Sequence, residues 1–497
     1  MRSQLSFFII VTKDLRENNM ESRVLGNSEF VNATIRNVAL PANYMDTIAK
    51  RSDQVLIDHF QCPPEFVHVG VWGNPSARAG FFNFGPGAVC YGRCSAFAPS
   101  LKPEDRSNDA MDHLRYGEDG IELPFNLAEA VNALRHEKYL RNGNSANRSS
   151  ILQRSVRAAY YAVRPAMPVP VRKHLQRYSL RGWDKKEFPR WPVETGVESA
   201  LETAMCLNMK AKGLDEIPFI WFWPDGAEAC AVMTHDVESP AGRDFCDVLM
   251  DIDDSYGIKS SFCVVPESRY EVSMAYLDSI RRRGFEVNVH DLNHDGNLYR
   301  DYEEFRRRAV EIEEYRKIFA ARGFRAGVLY RNIDWFGLLH FEYDMSVPNV
   351  AHLDPQHGGC CTTFPYFIGD LLEIPVTMTQ DYSLFNILRH YRLDLWEMQI
   401  DAIRSKHGVM NFIVHPDYIR HEPELKVYER LLAHLAQLRK SAGVWIPLPG
   451  ELNQWWRERS RMKLVRNGAG WEIEGDGKVR ARIAYARLEN DQLAYSF

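Results

Sequence analysis

Thr234, His235, Asp236, Val237 and Glu238 place two carboxylates two residues apart at the end of an apolar run that begins at Ala229. Along a strand successive side chains alternate, so Asp236 and Glu238 share a face with Thr234 while Val237 points the other way. Two acids on one face repel each other unless a cation or a division of labour separates them. Further on, Phe285–Val289 runs directly into His290, Asp291, Leu292, Asn293 and His294. If the chain turns helical there, residues four apart share a face, the spacing at which two imidazoles grip one divalent ion. With a carboxylate from the first strand tip they make a three-ligand set, which leaves one position open for water. The competing reading is a pair of surface histidines after a strand.

Two more residues can join this chemistry. Arg325, in GFRAGVLYR, opens a fourth strand, where a guanidinium can hold a carboxylate by two parallel hydrogen bonds. The alternative is a solvated charge at a helix-to-strand turn. The strand VMNFIV delivers His415, Pro416 and Asp417 to the same rim. A histidine there can act as a general acid, because its ordinary pKa lies near neutrality; otherwise it is a hydrogen-bonded rim histidine. Between them, Asn349–Tyr366 carries Asp354, His357, Cys360 and Cys361. It reads as a folded lid, with a second metal site as the alternative.

Positioning these residues requires strand tips that meet at one rim. Strands are expected at Cys230–Thr234, Ser260–Val265, Phe285–Val289, Ala326–Tyr330, Met345–Val347, Leu371–Val376, Met410–Val414 and Val444–Pro447. Helical stretches at Arg243–Tyr256, Val272–Arg283, Tyr302–Arg322, Leu393–His407 and Pro423–Ala442 lie between them. Alternating strands and helices predict a (β/α) barrel or a doubly wound sheet, and near-continuous apolar strands favour parallel pairing. In such barrels the chemistry sits at the C-terminal strand ends.

Ahead of this lies a β-like region, with Val55–Ile57, Phe66–Trp72 and a hairpin over Phe81–Tyr91. A helix is expected over Leu127–Leu140, then an extended arm at Val163–Arg172, where Pro165, Pro168 and Pro170 exclude a helix. The tail from Trp471 onward reads as two or three antiparallel strands, with Ile473, Val479, Ile483 and Tyr485 on the buried face. Four parts follow: a β-rich module over 1–122, a helical and proline-containing connection over 123–195, the barrel over 196–461 and a β extension over 462–497.

Composition narrows the function class. The 61 basic and 66 acidic residues balance to −5 without a basic stripe, so a nucleic-acid partner is not expected. Nine scattered cysteines form no disulfide framework and read as reduced, which points to the cytoplasm. Leu5–Val11 has the flavour of a signal peptide, but TKDLRENN follows where a small-residue cleavage site would be, so a strand or an extension is expected. No apolar run reaches the roughly 18 residues a membrane span needs.

The segment from about Ala229 to Pro449 resembles the polysaccharide deacetylase family of carbohydrate esterases, related to the nodulation-factor deacetylase. The resemblance rests on THDVE, HDLNH, FRAG and VHPD, in the family's order and each at an expected strand end. It implies a distorted (β/α)7 barrel and a divalent metal, commonly zinc, held by an aspartate and two histidines, the place of the aspartate being taken here by Glu238, which reaches one methylene further. By position, Asp236 would be the base that takes a proton from water, and Glu238, His290 and His294 the metal ligands. Arg325 would orient Asp236, and His415 would protonate the departing amine.

The pattern departs from the family in places. The family's two acids are adjacent, whereas Val237 intervenes here, and no proline follows Arg325. An orienting aspartate near the last strands has Asp381 as its candidate. The implied activity is metal-dependent hydrolysis of an N-acetylated sugar, on a glycan or amino-sugar substrate, in exopolysaccharide biosynthesis or trimming. Two other readings stand beside it: a non-catalytic glycan-binding or scaffold protein on the same fold, and a hydrolase of a small non-sugar amide.

Overall fold

The computed structural model describes residues 51–497 apart from 106, 118–119, 141–177, 179 and 469. The Leu5–Val11 run and the proline arm at Val163–Arg172 lie outside the described residues. The barrel strands are β1 (Cys230–Val237), β2 (Ser261–Val264), β3 (Glu286–His290), β4 (Gly323–Arg325), β5 (Tyr343–Asp344), β6 (Tyr366–Ile368), β7 (Leu371–Glu373) and β8 (Val409–Ile413). They form one curled sheet in the order β6-β7-β5-β4-β3-β2-β1-β8. Every pairing is parallel except β6 with β7, which leaves seven parallel strands. This is the expected α/β architecture of a distorted (β/α)7-type barrel.

The distortion has a visible cause at the seam. Between β8 and the chain leaving β7, side chains carry much of the bonding: Thr377 Oγ1 donates to the Val409 carbonyl at 2.7 Å, and Asn411 Nδ2 to that of Ile374 at 3.1 Å. Asn411 N in turn donates to Thr377 Oγ1 at 2.9 Å. Polar side chains replace backbone ladder partners there, so the buried amides stay satisfied without a regular strand.

Alternation along β1 divides its residues between two cores. Ala229, Ala231, Met233 and Val237 pack outward with Leu249 of α1 (Pro240–Ser255), Ile280 of α2 (Met274–Arg282), Phe305 of α3 (Tyr302–Ile318) and Ile403 of α4 (Asp394–Arg404). Leu431 of α5 (Glu424–Ser441) completes that layer. Cys230 and Val232 point inward, into a core they share with Trp223, Phe364 and Trp455. That second core also holds Phe60, Phe82 and Leu127 from the N-terminal region and Ala484 and Ala486 from the tail.

Several elements differ from expectation. Val55–Ile57 lies inside a helix, Ser52–Phe60, because Val55, Leu56, His59 and Phe60 bury one helical stripe. The fourth strand ends at Arg325 instead of beginning at Ala326, and Gly327–Leu329 is a 3-10 turn. The fifth strand falls at Tyr343–Asp344, ahead of Met345–Val347, and Val444–Pro447 makes only the single bridge between Trp445 and Cys230. An unforeseen helix, Pro449–Arg459, precedes the tail. In the tail, Ile483–Glu489 pairs antiparallel with Glu216–Ile220, so the extension is stitched to the strand that leads into the barrel. Its buried face is Ile473, Ala484 and Ala486, while Val479 is 86% exposed. The Phe81–Tyr91 hairpin is present as Gly80–Asn83 paired with Val89–Gly92.

Candidate active site

The tips of β1, β3, β4 and β8 meet at the C-terminal rim. Parity along β1 holds beyond its end: His235 faces outward, its Nε2 3.1 Å from Asp253 Oδ2 and its Nδ1 3.0 Å from the Val414 carbonyl, while Asp236 and Glu238 face in. Glu238 Oε1 is the focus of three imidazoles, 3.4 Å from His290 Nε2, 2.9 Å from His294 Nε2 and 3.4 Å from His415 Nε2. Burial alone would raise the Glu238 carboxyl, but the charge of His294, with the His290 and His415 imidazoles close by, holds it well below its ordinary value.

Glu238, His290 and His294 fit a divalent ion. One ligand atom from each lies within 4.8 Å of the others. A tetrahedral site with bonds of about 2.0–2.1 Å has donor separations of roughly 3.3 Å, which the 3.4 and 2.9 Å spacings to Glu238 bracket. The His290 ring offers its Nδ1 to the Arg325 carbonyl at 3.1 Å, which leaves Nε2 with a free lone pair toward the site. His294 Nε2 is buried without a hydrogen-bond partner. Among the described residues no other group of histidines, cysteines and acids converges in this way. The lid residues are engaged elsewhere: Asp354 accepts from Gln380 Nε2 at 2.7 Å, His357 Nδ1 lies 2.8 Å from Lys186 Nζ, and Cys360 and Cys361 are free and buried.

The histidines do not converge by helical spacing. His290 closes β3, and the chain then takes an irregular turn in which Asp291 (φ 57°) and His294 (φ 53°) are both left-handed. Non-glycine residues rarely adopt that conformation, and such strain gathers at functional sites. The turn brings the two rings to 4.9 Å between centroids. It also dictates the sequence after Arg325, because a Cβ on Gly327 would lie 2.4 Å from Asp291 Oδ2 and 2.9 Å from His294 Cδ2.

Asp236 sits on the other side of His290, with Oδ2 3.7 Å from His290 Nε2. Arg325 is fully buried, and its Nη1 is 3.4 Å from Asp236 Oδ1. The expected pair of parallel hydrogen bonds is not formed: Nε and Nη1 of Arg325 lack partners, and Nη2 lies 3.6 Å from Met345 Sδ. The contact is one of charge. Burial would raise the Asp236 carboxyl, yet Arg325, His290 and His415 keep it below the ordinary aspartate value.

His415 is held by Asp381, whose Oδ1 lies 2.6 Å from Nδ1 and whose Oδ2 accepts the His415 backbone N–H at 2.7 Å. Nε2 then carries the exchangeable proton on the side of the cleft. Burial would lower this histidine, but the Asp381 and Glu238 carboxylates outweigh it and raise its pKa well above the ordinary value. Tyr418 packs against the ring at 4.8 Å between centroids, and Tyr382 lies 5.5 Å from Tyr418.

No family model matches the sequence, and no curated protein matches it. The barrel half resembles solved polysaccharide deacetylases. A putative polysaccharide deacetylase from Mycobacterium smegmatis is 18% identical, with 48% of this chain and 93% of that one covered at a TM-score of 0.38. A probable polysaccharide deacetylase from Pseudomonas aeruginosa PAO1 is 13% identical, with 47% and 93% covered at 0.36. Puue allantoinase is also 13% identical, with 47% and 92% covered at 0.37.

Sequence reasoning missed Arg269, Asp291 and Gly327. Arg269 follows β2 at no motif spacing, yet its Nε donates to the Asn293 carbonyl at 3.1 Å and its Nη2 lies 3.1 Å from His294 Nδ1. Asp291 stands inside the histidine motif, where the spacing assigns it no role. Only the left-handed backbone reveals that its carboxylate caps the turn, accepting the Leu292 N–H at 2.6 Å.

Proposed function

We propose that this chain is a metal-dependent hydrolase that removes acetyl from an N-acetylated sugar of a glycan or surface polysaccharide. The observation that carries the reading is the juxtaposition at one rim of a three-donor set, Glu238, His290 and His294, with a separate acid, Asp236, and a carboxylate-backed imidazole, His415. A divalent cation, zinc being the first choice for one carboxylate and two imidazoles, would polarise the amide carbonyl and acidify a water.

The chain's own residues divide the remaining work. Asp236, kept ionised by Arg325, is free to accept a proton from the attacking water. His415 holds a proton on Nε2, with Asp381 fixing the ring, and is placed to give it to the departing amine nitrogen. The half-buried faces of Tyr382 and Tyr418 beside His415 suit a sugar ring, which offers an apolar face and polar edges. Free cysteines at all nine positions agree with a cytoplasmic setting. Among the described residues no helix is long and apolar enough to cross a membrane.

The test is acetate release from N-acetylglucosamine oligomers by purified protein, beside elemental analysis of the same sample. Metal near one equivalent, with turnover lost to a chelator and restored by the ion, is expected. Protein that neither carries nor takes up a divalent metal sinks the proposal in favour of a glycan-binding scaffold. Full metal content without acetate release points to a different amide.

A further inference from the structure

The two histidines of the donor set are oriented by opposite chemistry. His290 Nδ1 meets a carbonyl, that of Arg325, at 3.1 Å. His294 Nδ1 meets a guanidinium: Arg269 Nη2, which can only donate, lies 3.1 Å from it. That contact belongs to the ring with its proton on Nε2 and gives way when Nε2 ligates. Nη2 also donates to the His294 carbonyl. Arg269 Nε reaches the neighbouring Asn293 carbonyl at 3.1 Å. One planar side chain thus spans two consecutive carbonyls and the ring of the second residue.

Those carbonyls belong to the strained part of the turn. Asp291, His294 and Gly296 all have positive φ, a region few non-glycine residues adopt, although aspartate and histidine enter it more often than most. On the far side Arg308 of α3 holds the same turn, through Nη1 to Asn293 Oδ1 at 3.2 Å and to Asp295 Oδ1 at 2.8 Å. The turn is therefore clamped between two arginines, but only Arg269 touches the His294 ring. A fixed fork with several donors suits two adjacent carbonyls as a single ammonium cannot.

Resting on the metal-centre reading above, we propose that Arg269 is a positioning residue for the metal site, holding the His294 turn in its left-handed conformation through the Asn293 and His294 carbonyls and so keeping the ring beside Glu238. It touches no donor atom of the set. Its effect reaches the metal through the backbone of the His294 turn, with about 10- to 100-fold in affinity at stake.

The experiment titrates zinc against a competing chelator in metal-stripped wild type, Arg269→Met, Arg269→Lys and Arg269→Ala, with circular dichroism and thermal melting of each metal-free protein. Arg269→Met keeps the apolar stem and is expected to bind zinc about 10- to 100-fold more weakly. Arg269→Lys should fall between, and millimolar guanidinium should restore part of the affinity of Arg269→Ala. Affinity in Arg269→Met within twofold of wild type overturns this inference alone. Weakened binding that guanidinium leaves unchanged, together with a lowered melting point of the metal-free variant, assigns Arg269 a general structural role and also overturns it. Wild type that binds no zinc overturns the metal-centre reading and this inference with it.

Discussion

Asp381 grips His415 twice, with Oδ1 2.6 Å from the ring Nδ1 and Oδ2 accepting the backbone N–H at 2.7 Å. The backbone bond fixes where the carboxylate sits, and the ring bond fixes which nitrogen faces the cleft. Asp381→Asn keeps the shape but can present an amide N–H to Nδ1, which favours the wrong tautomer and withdraws a negative charge from the imidazolium. The expected outcome is a fall in kcat of about 10²- to 10⁴-fold with zinc content unchanged. Steady-state kinetics and metal analysis on one preparation check this, and wild-type turnover would leave Asp381 with a packing role.

His290→Ala and His294→Ala should abolish metal retention while leaving the circular dichroism spectrum largely intact. Both rings are buried at the rim, and neither belongs to the two large hydrophobic cores. Loss of the fold along with the metal would make these histidines structural.

Asp344 and Glu373, at the ends of β5 and β7, are neighbours and fully buried. Burial, then the Asp344 charge, pushes the Glu373 carboxyl well above its ordinary value. An acid whose folded pKa is raised favours the folded state below the unfolded pKa, and that advantage is lost as pH climbs from about 4.3 toward the folded value. Glu373→Gln keeps an oxygen for the Val347 N–H, which Glu373 Oε1 accepts at 2.9 Å, and removes the ionisable proton. The variant should gain stability over wild type above neutral pH, on the order of 1 kcal/mol, with little gain near pH 4. Melting curves at pH 4 and 8 check the crossover, and a variant equally destabilised at both would mean that the pair acts only through packing.

How much of this was legible follows from what each feature needs. Asp236, Glu238, His290 and His415 lie at tips of strands whose apolar or alternating patterns are visible in sequence, and alternation alone turns His235 away from the face of Asp236. The fourth strand was misplaced because Ala326–Tyr330 looks apolar enough to continue; the close approach of Gly327 to Asp291 and His294 ends it, and that contact is nonlocal. Val55–Ile57 misled for another reason, since three apolar residues carry no period. Arg269 could not be found at all: it reaches its partners across a gap of 24 to 25 residues, with no spacing rule behind it.

The tail from Met462 onward should be dispensable for metal binding but needed for solubility. Ile483–Glu489 covers the edge of Glu216–Ile220, and Ala484 and Ala486 are buried in the core shared with the N-terminal region. Deleting it would expose an unpaired strand edge and the apolar surface around Phe219 and Trp221. Aggregation by size-exclusion chromatography is expected. A truncated protein that stays soluble and monomeric would count against this assignment.

The acids at the end of β1 can be told apart by substitution, because Val237 separates them and only Glu238 lies within 3.4 Å of both histidine donors. Asp236 instead lies between His290, at 3.7 Å, and Arg325, at 3.4 Å. Asp236→Asn preserves shape but cannot accept a proton, so it should keep zinc and lose turnover on N-acetylated glycans by about 10²- to 10⁴-fold. Glu238→Gln presents a neutral oxygen, a poorer ligand for a divalent cation, and should release zinc at chelator concentrations that wild type withstands. The buried Arg325 sharpens the first half: with Asp236 neutral, its guanidinium loses the carboxylate that offsets it, so Asp236→Asn should also melt at a lower temperature than wild type. Zinc lost from Asp236→Asn and kept by Glu238→Gln would swap the two roles. If neither variant changes zinc content or hydrolysis, this strand end does no chemistry.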